Sequence, residues 1–126
     1  MPKIMVVDDQ KNVCDLLAYV FENEGYEIIC ETSSVIALER VIKEKPDCVL
    51  LDLVMPDMDG IEFLIRVRKE ISDIKIIIMT AHGDYDNATK CKELGAYAYI
   101  PKPFDVDVVK ATIRKCLGIS EDKLII

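Results

Sequence analysis

The sequence reads as an α/β domain: a doubly wound, three-layer sandwich in which a five-stranded parallel sheet lies between helices. Five short apolar runs alternate with longer segments of helical period. The runs are apolar throughout rather than alternating with polar residues, so each strand needs cover on both faces, the mark of a parallel sheet with helical crossovers. With 126 residues, 51% of them hydrophobic, the chain has apolar side chains enough for one core and too few residues for two.

The first run, "KIMVVD", is a buried strand, and "KNVCDLLAYVFENEG" follows it with Val13, Leu16, Leu17, Val20 and Phe21 at helix spacing before a stopping Gly25. "YEIICE" is the second strand. The helix after it spans about Ser34 to Lys45, with Ala37, Leu38, Val41 and Ile42 inward. "DCVLLD" and "KIIIMT" are the third and fourth strands, and "IEFLIRVRKEI" is the helix between them. "DYDNATKCKELG" is a weaker helix whose apolar stripe is only Ala88, Cys91 and Leu94. "YAYI" is a short fifth strand, and "DVDVVKATIRKCLG" closes the fold with Val106, Val109, Ile113 and Cys116 on one face. The domain is expected over residues 1–118, with 119–126 a tail or the start of a linker.

Acidic residues outnumber basic ones, 23 to 16, so the summed field repels phosphate backbones and anionic membranes. Neither nucleic acid nor membrane is expected as a direct partner. The first apolar run, Ile4 to Val7, is far shorter than a secretory signal or the roughly 20 residues of a membrane span, which points to a soluble, cytoplasmic protein. The five cysteines are scattered and form no C-x-x-C pair, as expected of reduced thiols packed as small apolar residues.

The residues that close the strands carry the chemistry. The first strand ends at Asp8-Asp9, the third at Asp52, the fourth at Thr80, and the fifth runs within two residues into Lys102. In a doubly wound sheet those ends share one edge, where ligands bind. An aspartate after a strand commonly caps a turn or helix, but four of the five strand ends carrying such groups form one site. Carboxylates held together must bind a proton or a cation, and an all-oxygen donor set suits Mg²⁺. A carboxylate beside Mg²⁺ and the Lys102 ammonium, with the Thr80 hydroxyl to bond a new oxygen, is equipped to attack phosphorus and hold the acyl phosphate. Asp52 would be that nucleophile. In the loop "LVMPDMDG" that follows, Pro56 fixes the backbone, Gly60 is expected to use a positive φ, and Asp57 and Asp59 read as turn residues.

The stretches "VVDDQ", "LLDLVMPDMDG", "IIIMTAHG" and "GAYAYIPKPF", in this order and spacing, resemble the receiver domain of two-component response regulators over about Lys3 to Leu117. The resemblance implies the flavodoxin-like strand order 2-1-3-4-5. It implies that Asp52 accepts a phosphoryl group from a phosphohistidine on a sensor histidine kinase or histidine phosphotransfer protein. It further implies that Asp9, Asp52 and the backbone carbonyl of Val54 ligate Mg²⁺ directly, while Asp8 acts mostly through water. Thr80 would be the switch hydroxyl, Tyr99 the aromatic that swings inward with it, and Lys102 the partner of the phosphoryl group. Lys102-Pro103 matches a cis bond of the family, and Pro101 before it is less usual. Two positions tune lifetime in such domains: Val54 offers no polar group to orient water, and His82, the only histidine, is the alternative candidate. Slow self-dephosphorylation is therefore expected.

The weak fourth helix is expected to be the movable element, and the face made by the fourth helix, the fifth strand and the last helix the contact for a partner, an output domain or a homodimer formed on phosphorylation. Tyr97 and Tyr99 would lie on one side of that strand. A stand-alone relay protein and the first part of a longer regulator remain open. An Asp-nucleophile phosphatase of the haloacid dehalogenase type is disfavoured because Val54 stands where those enzymes carry a second acid. A receiver that only binds partners is disfavoured because the whole chemical set is present. The domain is thus expected to catalyse only its own phosphorylation and dephosphorylation.

Overall fold

A computed structural model describes residues 1–81 and 85–119. Five strands and five helices alternate: β1 (Lys3–Val7), α1 (Lys11–Asn23), β2 (Glu27–Glu31), α2 (Ser34–Glu44), β3 (Cys48–Leu51), α3 (Gly60–Glu70), β4 (Lys75–Thr80), α4 (Tyr85–Glu93), β5 (Ala98–Pro101) and α5 (Val106–Cys116). All four strand pairings are parallel, in the order β2-β1-β3-β4-β5.

Burial follows position in the sheet. The inner strands β1, β3 and β4 are buried nearly throughout, whereas the edge strands β2 and β5 are mostly half-buried. Alternation splits the inner residues between two cores. Met5, Val7, Val49, Leu51, Ile76 and Ile78 pack with Ala37, Val41, Phe63, Leu64, Val67 and Cys91 of α2, α3 and α4. Ile4, Val6, Cys48, Leu50, Ile77 and Met79 pack with Cys14, Leu17, Phe21, Val109, Ile113 and Cys116 of α1 and α5.

Three expectations about inward faces change. Leu16 is 47% exposed and Ile42 40%. Both lie a helical step of about 100° from the true centre of their stripe. On α1 the inward place is taken by Cys14, whose small thiol fits close under the sheet. Tyr97 precedes β5 and is exposed, its ring 5.7 Å from the Lys75 ammonium, while Tyr99 packs against the core on the α4 side.

Because the order reverses between β2-β1 and β1-β3, the loops after β1 and β3 leave toward opposite layers and open a crevice at their carboxyl ends. The strand register also reaches across it: the Asp52 N–H donates to Val7 O at 2.9 Å and the Lys102 N–H to Thr80 O at 2.9 Å.

Candidate functional site

The crevice is lined by Asp9, Gln10, Asp52, Val54, Thr80, Ala81 and Lys102. Asp8, Asp52 and Thr80 are buried, Asp9 is exposed, and oxygens of Asp8, Asp9 and Asp52 all lie within 4.8 Å of one another. Strand stiffness positions the two buried acids: Asp8 and Asp52 each follow directly on a fully buried residue, Val7 and Leu51, so the backbone is held by the sheet before the side chain meets water. Val54 is 49% exposed at the rim.

The Lys102 Nζ donates to Asp8 Oδ2 at 2.6 Å, Asp52 Oδ2 at 3.2 Å and Gln10 Oε1 at 3.4 Å. The remaining oxygens are held by backbone: Asp8 Oδ1 accepts from Gln10 N at 2.9 Å and Asp52 Oδ1 from Val54 N at 3.1 Å. Burial pushes the Asp8 carboxyl above its ordinary pKa, and the Lys102 hydrogen bond only partly opposes it. Burial alone would lower Lys102, but its hydrogen bond to Asp8 and the charges of Asp8 and Asp52 outweigh that and hold its pKa above the ordinary value. The lysine is therefore cationic. One ammonium faces three carboxylates, so negative charge remains in excess among oxygen donors, which fits a divalent hard cation. The lysine is followed by the expected cis bond to Pro103.

The crevice brings together Asp8, Asp9, Asp52, Val54, Thr80 and Lys102. Tyr99 lies on β5 beside it, paired in register with Ile78, two residues before Thr80. His82 and residues 120–126 lie outside the described residues. Gln10 is a lining residue that sequence pattern does not single out; its place two residues after Asp8, at the start of α1, is the available signal.

The loop after Asp52 departs from expectation at two residues. Gly60 is not in the positive-φ region. It is needed for close approach, since a Cβ there would lie 2.5 Å from Leu53 Cα and 2.8 Å from Asp52 O. Asp57 does more than turn the chain: its carboxylate accepts from Ser33 Oγ at 2.6 Å, Ser34 Oγ at 2.7 Å, and the Ser34 and Val35 N–H groups at 3.2 Å, at the start of α2. Asp59 caps its own helix, accepting from Glu62 N at 2.9 Å.

Behind the site, Arg68 of α3 donates from Nε to Leu94 O at 3.1 Å and from Nη2 to Gly95 O at 2.7 Å, at the end of α4. Its Nη1 reaches Ile74 O and Ser72 O on the turn before β4.

The family model for the response regulator receiver domain matches residues 4–114. Among curated proteins, sporulation initiation phosphotransferase F of Bacillus subtilis is 43% identical over 120 residues, covering 95% of this chain and 97% of that protein. Regulatory protein AtoC of Escherichia coli is 34% identical over 96% of this chain, which spans only 26% of its length. Alkaline phosphatase synthesis transcriptional regulatory protein PhoP of Bacillus subtilis is 36% identical over 94% of this chain, which spans 50% of it. Among solved structures, a CheY-like receiver domain protein from Methanospirillum hungatei superposes with a TM-score of 0.87 at 28% identity, over 94% of this chain and 95% of that one. A receiver domain protein from Clostridium thermocellum gives 0.88 at 28% identity over the full length of both. Receiver domains generally bind Mg²⁺ at an acidic pocket, interact with histidine kinases or phosphotransfer proteins, and act as signalling modules rather than enzymes. With family match, fold and strand-end chemistry in agreement, the chain belongs to the response regulator receiver domain family of two-component signalling.

Proposed function

We propose that Asp52 is the phosphoacceptor. The observation that carries this reading is the place of its carboxylate: buried at the end of β3, 3.2 Å from the Lys102 ammonium and clustered with Asp8 and Asp9. One Asp52 oxygen attacks the phosphorus of a phosphohistidine; an O–P bond forms, the P–N bond breaks, and the imidazole, protonated on its other nitrogen, leaves as the neutral ring. Lys102 shifts its donation from Asp8 toward the incoming phosphoryl oxygens. The Thr80 hydroxyl, at the end of β4, donates to another of them. Asp9, Asp52 and the Val54 carbonyl would hold Mg²⁺, with Asp8 acting through water, and the ion would supply positive charge that offsets the negative charge of the transferred group.

Movement of Thr80 draws Tyr99 inward and shifts α4, so that the face of α4, β5 and α5 carries the signal to a partner, an output domain or a second copy. The similarity to a phosphotransferase along 97% of its length favours a relay role, in which Asp52 later passes its phosphoryl group to another histidine. The cytoplasm is the compartment in which such kinases and relays meet. Among the described residues no helix is long and apolar enough to cross a membrane. All five cysteines are free.

Intact-mass spectrometry after incubation with acetyl phosphate and Mg²⁺ tests the reading. One added phosphoryl group is expected, absent from Asp52→Ala and from a chelated sample. An adduct that survives in Asp52→Ala would assign the chemistry elsewhere. With apolar Val54 at the rim, the adduct should persist well beyond seconds at neutral pH.

A further inference from the structure

We propose that Asp57 is a positioning residue for the cation site: by tying the loop that carries Asp52 and Val54 to the start of α2, it fixes the Val54 carbonyl for Mg²⁺. The inference rests on the reading of the acid cluster as a Mg²⁺ site and adds a residue outside that cluster.

The loop from Asp52 to Gly60 is held firmly at its two ends. At the first, Asp52 N–H donates to Val7 O and Val54 N–H to Asp52 Oδ1 at 3.1 Å. At the other, Gly60 N–H donates to Leu53 O at 2.8 Å and Asp59 caps α3. Between them the Val54–Met55 peptide, whose carbonyl faces the site in the family reading, is followed by Pro56, which restricts φ, and then by Asp57. Leu53 and Met55 on either side of Val54 are buried in the core, and Asp57 is the next side chain after Asp52 whose hydrogen bonds tie the segment to another element.

The tie is built from both partners. Ser33 Oγ donates to Asp57 Oδ2 at 2.6 Å and itself accepts from Ile36 N at 3.2 Å, so one hydroxyl caps α2 and joins it to the loop. Ser34, fully buried, places its Oγ 2.7 Å from both Asp57 Oδ1 and Met58 O, donating to either one. The Met58 N–H at 3.1 Å closes the turn on the same carboxylate. These hydroxyl and N–H donors at a helix N-terminus hold the Asp57 carboxyl well below the usual range, so the tie is ionised at any pH at which the protein works. When the carboxylate is removed Ser33 still caps α2 through Ile36 N, while the Ser34 and Val35 N–H groups lose their acceptor and the loop loses its anchor to α2.

Outer residues that orient a metal ligand typically change affinity by about 10–100-fold when removed. The test is isothermal titration of Mg²⁺ into the unphosphorylated protein, compared across wild type, Asp57→Ala, Asp57→Asn and Ser33→Ala/Ser34→Ala. Asp57→Ala is expected to weaken Mg²⁺ binding about tenfold. Asp57→Asn should be intermediate, since its amide oxygen still accepts from the Ser33 and Ser34 hydroxyls. The double serine variant should weaken binding similarly and add little further loss to Asp57→Ala. The rate of phosphorylation by acetyl phosphate at saturating Mg²⁺ should stay within about twofold of wild type, separating positioning from chemistry. Val41→Ala, which loosens α2 from the core without touching the tie, serves as the stability control and should leave Mg²⁺ affinity unchanged. Wild-type affinity in both Asp57 variants overturns the proposal while leaving the acid cluster intact. Absence of Mg²⁺ binding by the wild-type protein overturns the cluster reading and this inference with it. Should Asp57→Ala not fold, Asp57→Asn and the serine variant decide the matter.

Discussion

Lys102 bonds Asp8 more closely than it bonds Asp52, at 2.6 Å against 3.2 Å, although Asp52 is the proposed acceptor. In the resting domain the lysine therefore acts first as the counter-ion of a buried acid.

Removing that counter-ion should expose the repulsion it masks. Lys102 is 12% exposed and Asp8 4% in their side chains, so the pair behaves as a buried one. Breaking it from one side strands charge and costs about 3 kcal/mol. Urea unfolding of Lys102→Met in chelator is expected to show a loss of that order, partly recovered when Asp8→Asn is added. Mg²⁺ should stabilise Lys102→Met more than wild type, because nothing then competes for the carboxylates. An equal response of both proteins to Mg²⁺ would mean that Lys102 does not offset the charge of the cluster.

Gly60→Ala should damage stability and chemistry together. The new methyl would meet Leu53 Cα and Asp52 O, both backbone, so neither neighbour can turn aside. Overpacking of this kind costs about 1–3 kcal/mol. Relief by moving Leu53 displaces Asp52, and phosphorylation by acetyl phosphate is expected to slow by at least about tenfold. A variant with lowered melting temperature and an unchanged rate would uncouple the glycine from the acceptor.

A glycine before a helix, here Gly60, announces that a side chain is not tolerated; whether φ or close approach is the reason depends on Leu53, seven residues away and invisible to local pattern. The strand-end acids were legible because apolar runs fix where each strand stops, and a parallel sheet gathers those stops along one edge. Asp57 was half legible: its type suits a turn, but its partners Ser33 and Ser34 belong to another helix, and no period or spacing joins segments more than 20 residues apart. Hydropathy puts Leu16 and Ile42 inward because it does not resolve one step of a helix, whereas the sheet, against which Cys14 and Leu17 of α1 pack, does.

Acid should reveal the ionised Asp57. Its pKa is depressed in the folded state, so the stability it contributes is fully present above the unfolded value of about 4 and fades as pH falls below that toward the folded value. The wild type should therefore lose stability more steeply than Asp57→Ala between about pH 5 and pH 2. Urea midpoints at pH 7, 5 and 3 measure this. The gap between the two proteins should be constant over the first interval and narrow over the second; a gap that widens in acid would contradict the sign of the shift.

Arg68 should hold one end of the movable helix. Its guanidinium bonds Leu94 O and Gly95 O at the end of α4, and with another arm Ile74 O and Ser72 O before β4. One planar fork thus ties α3, the carboxyl end of α4 and the approach to β4. The apolar hold on α4 is narrow: Cys91 is buried, while Ala88 and Leu94 are only partly so. Arg68 thereby holds the carboxyl end of α4. Arg68→Ala frees that end. Amide hydrogen exchange of α4 and of the turn at Gly95 is expected to accelerate by at least about tenfold, a loss of roughly 1.4 kcal/mol or more in local stability. Phosphorylation of Asp52 should proceed at the wild-type rate, because no atom of Arg68 lines the crevice. Arg68→Lys should not restore protection, since a single ammonium cannot span carbonyls on both sides of the fork. Unchanged exchange in α4 of Arg68→Ala would leave its hold to Cys91, and Cys91→Ala would then be the variant that loosens the helix.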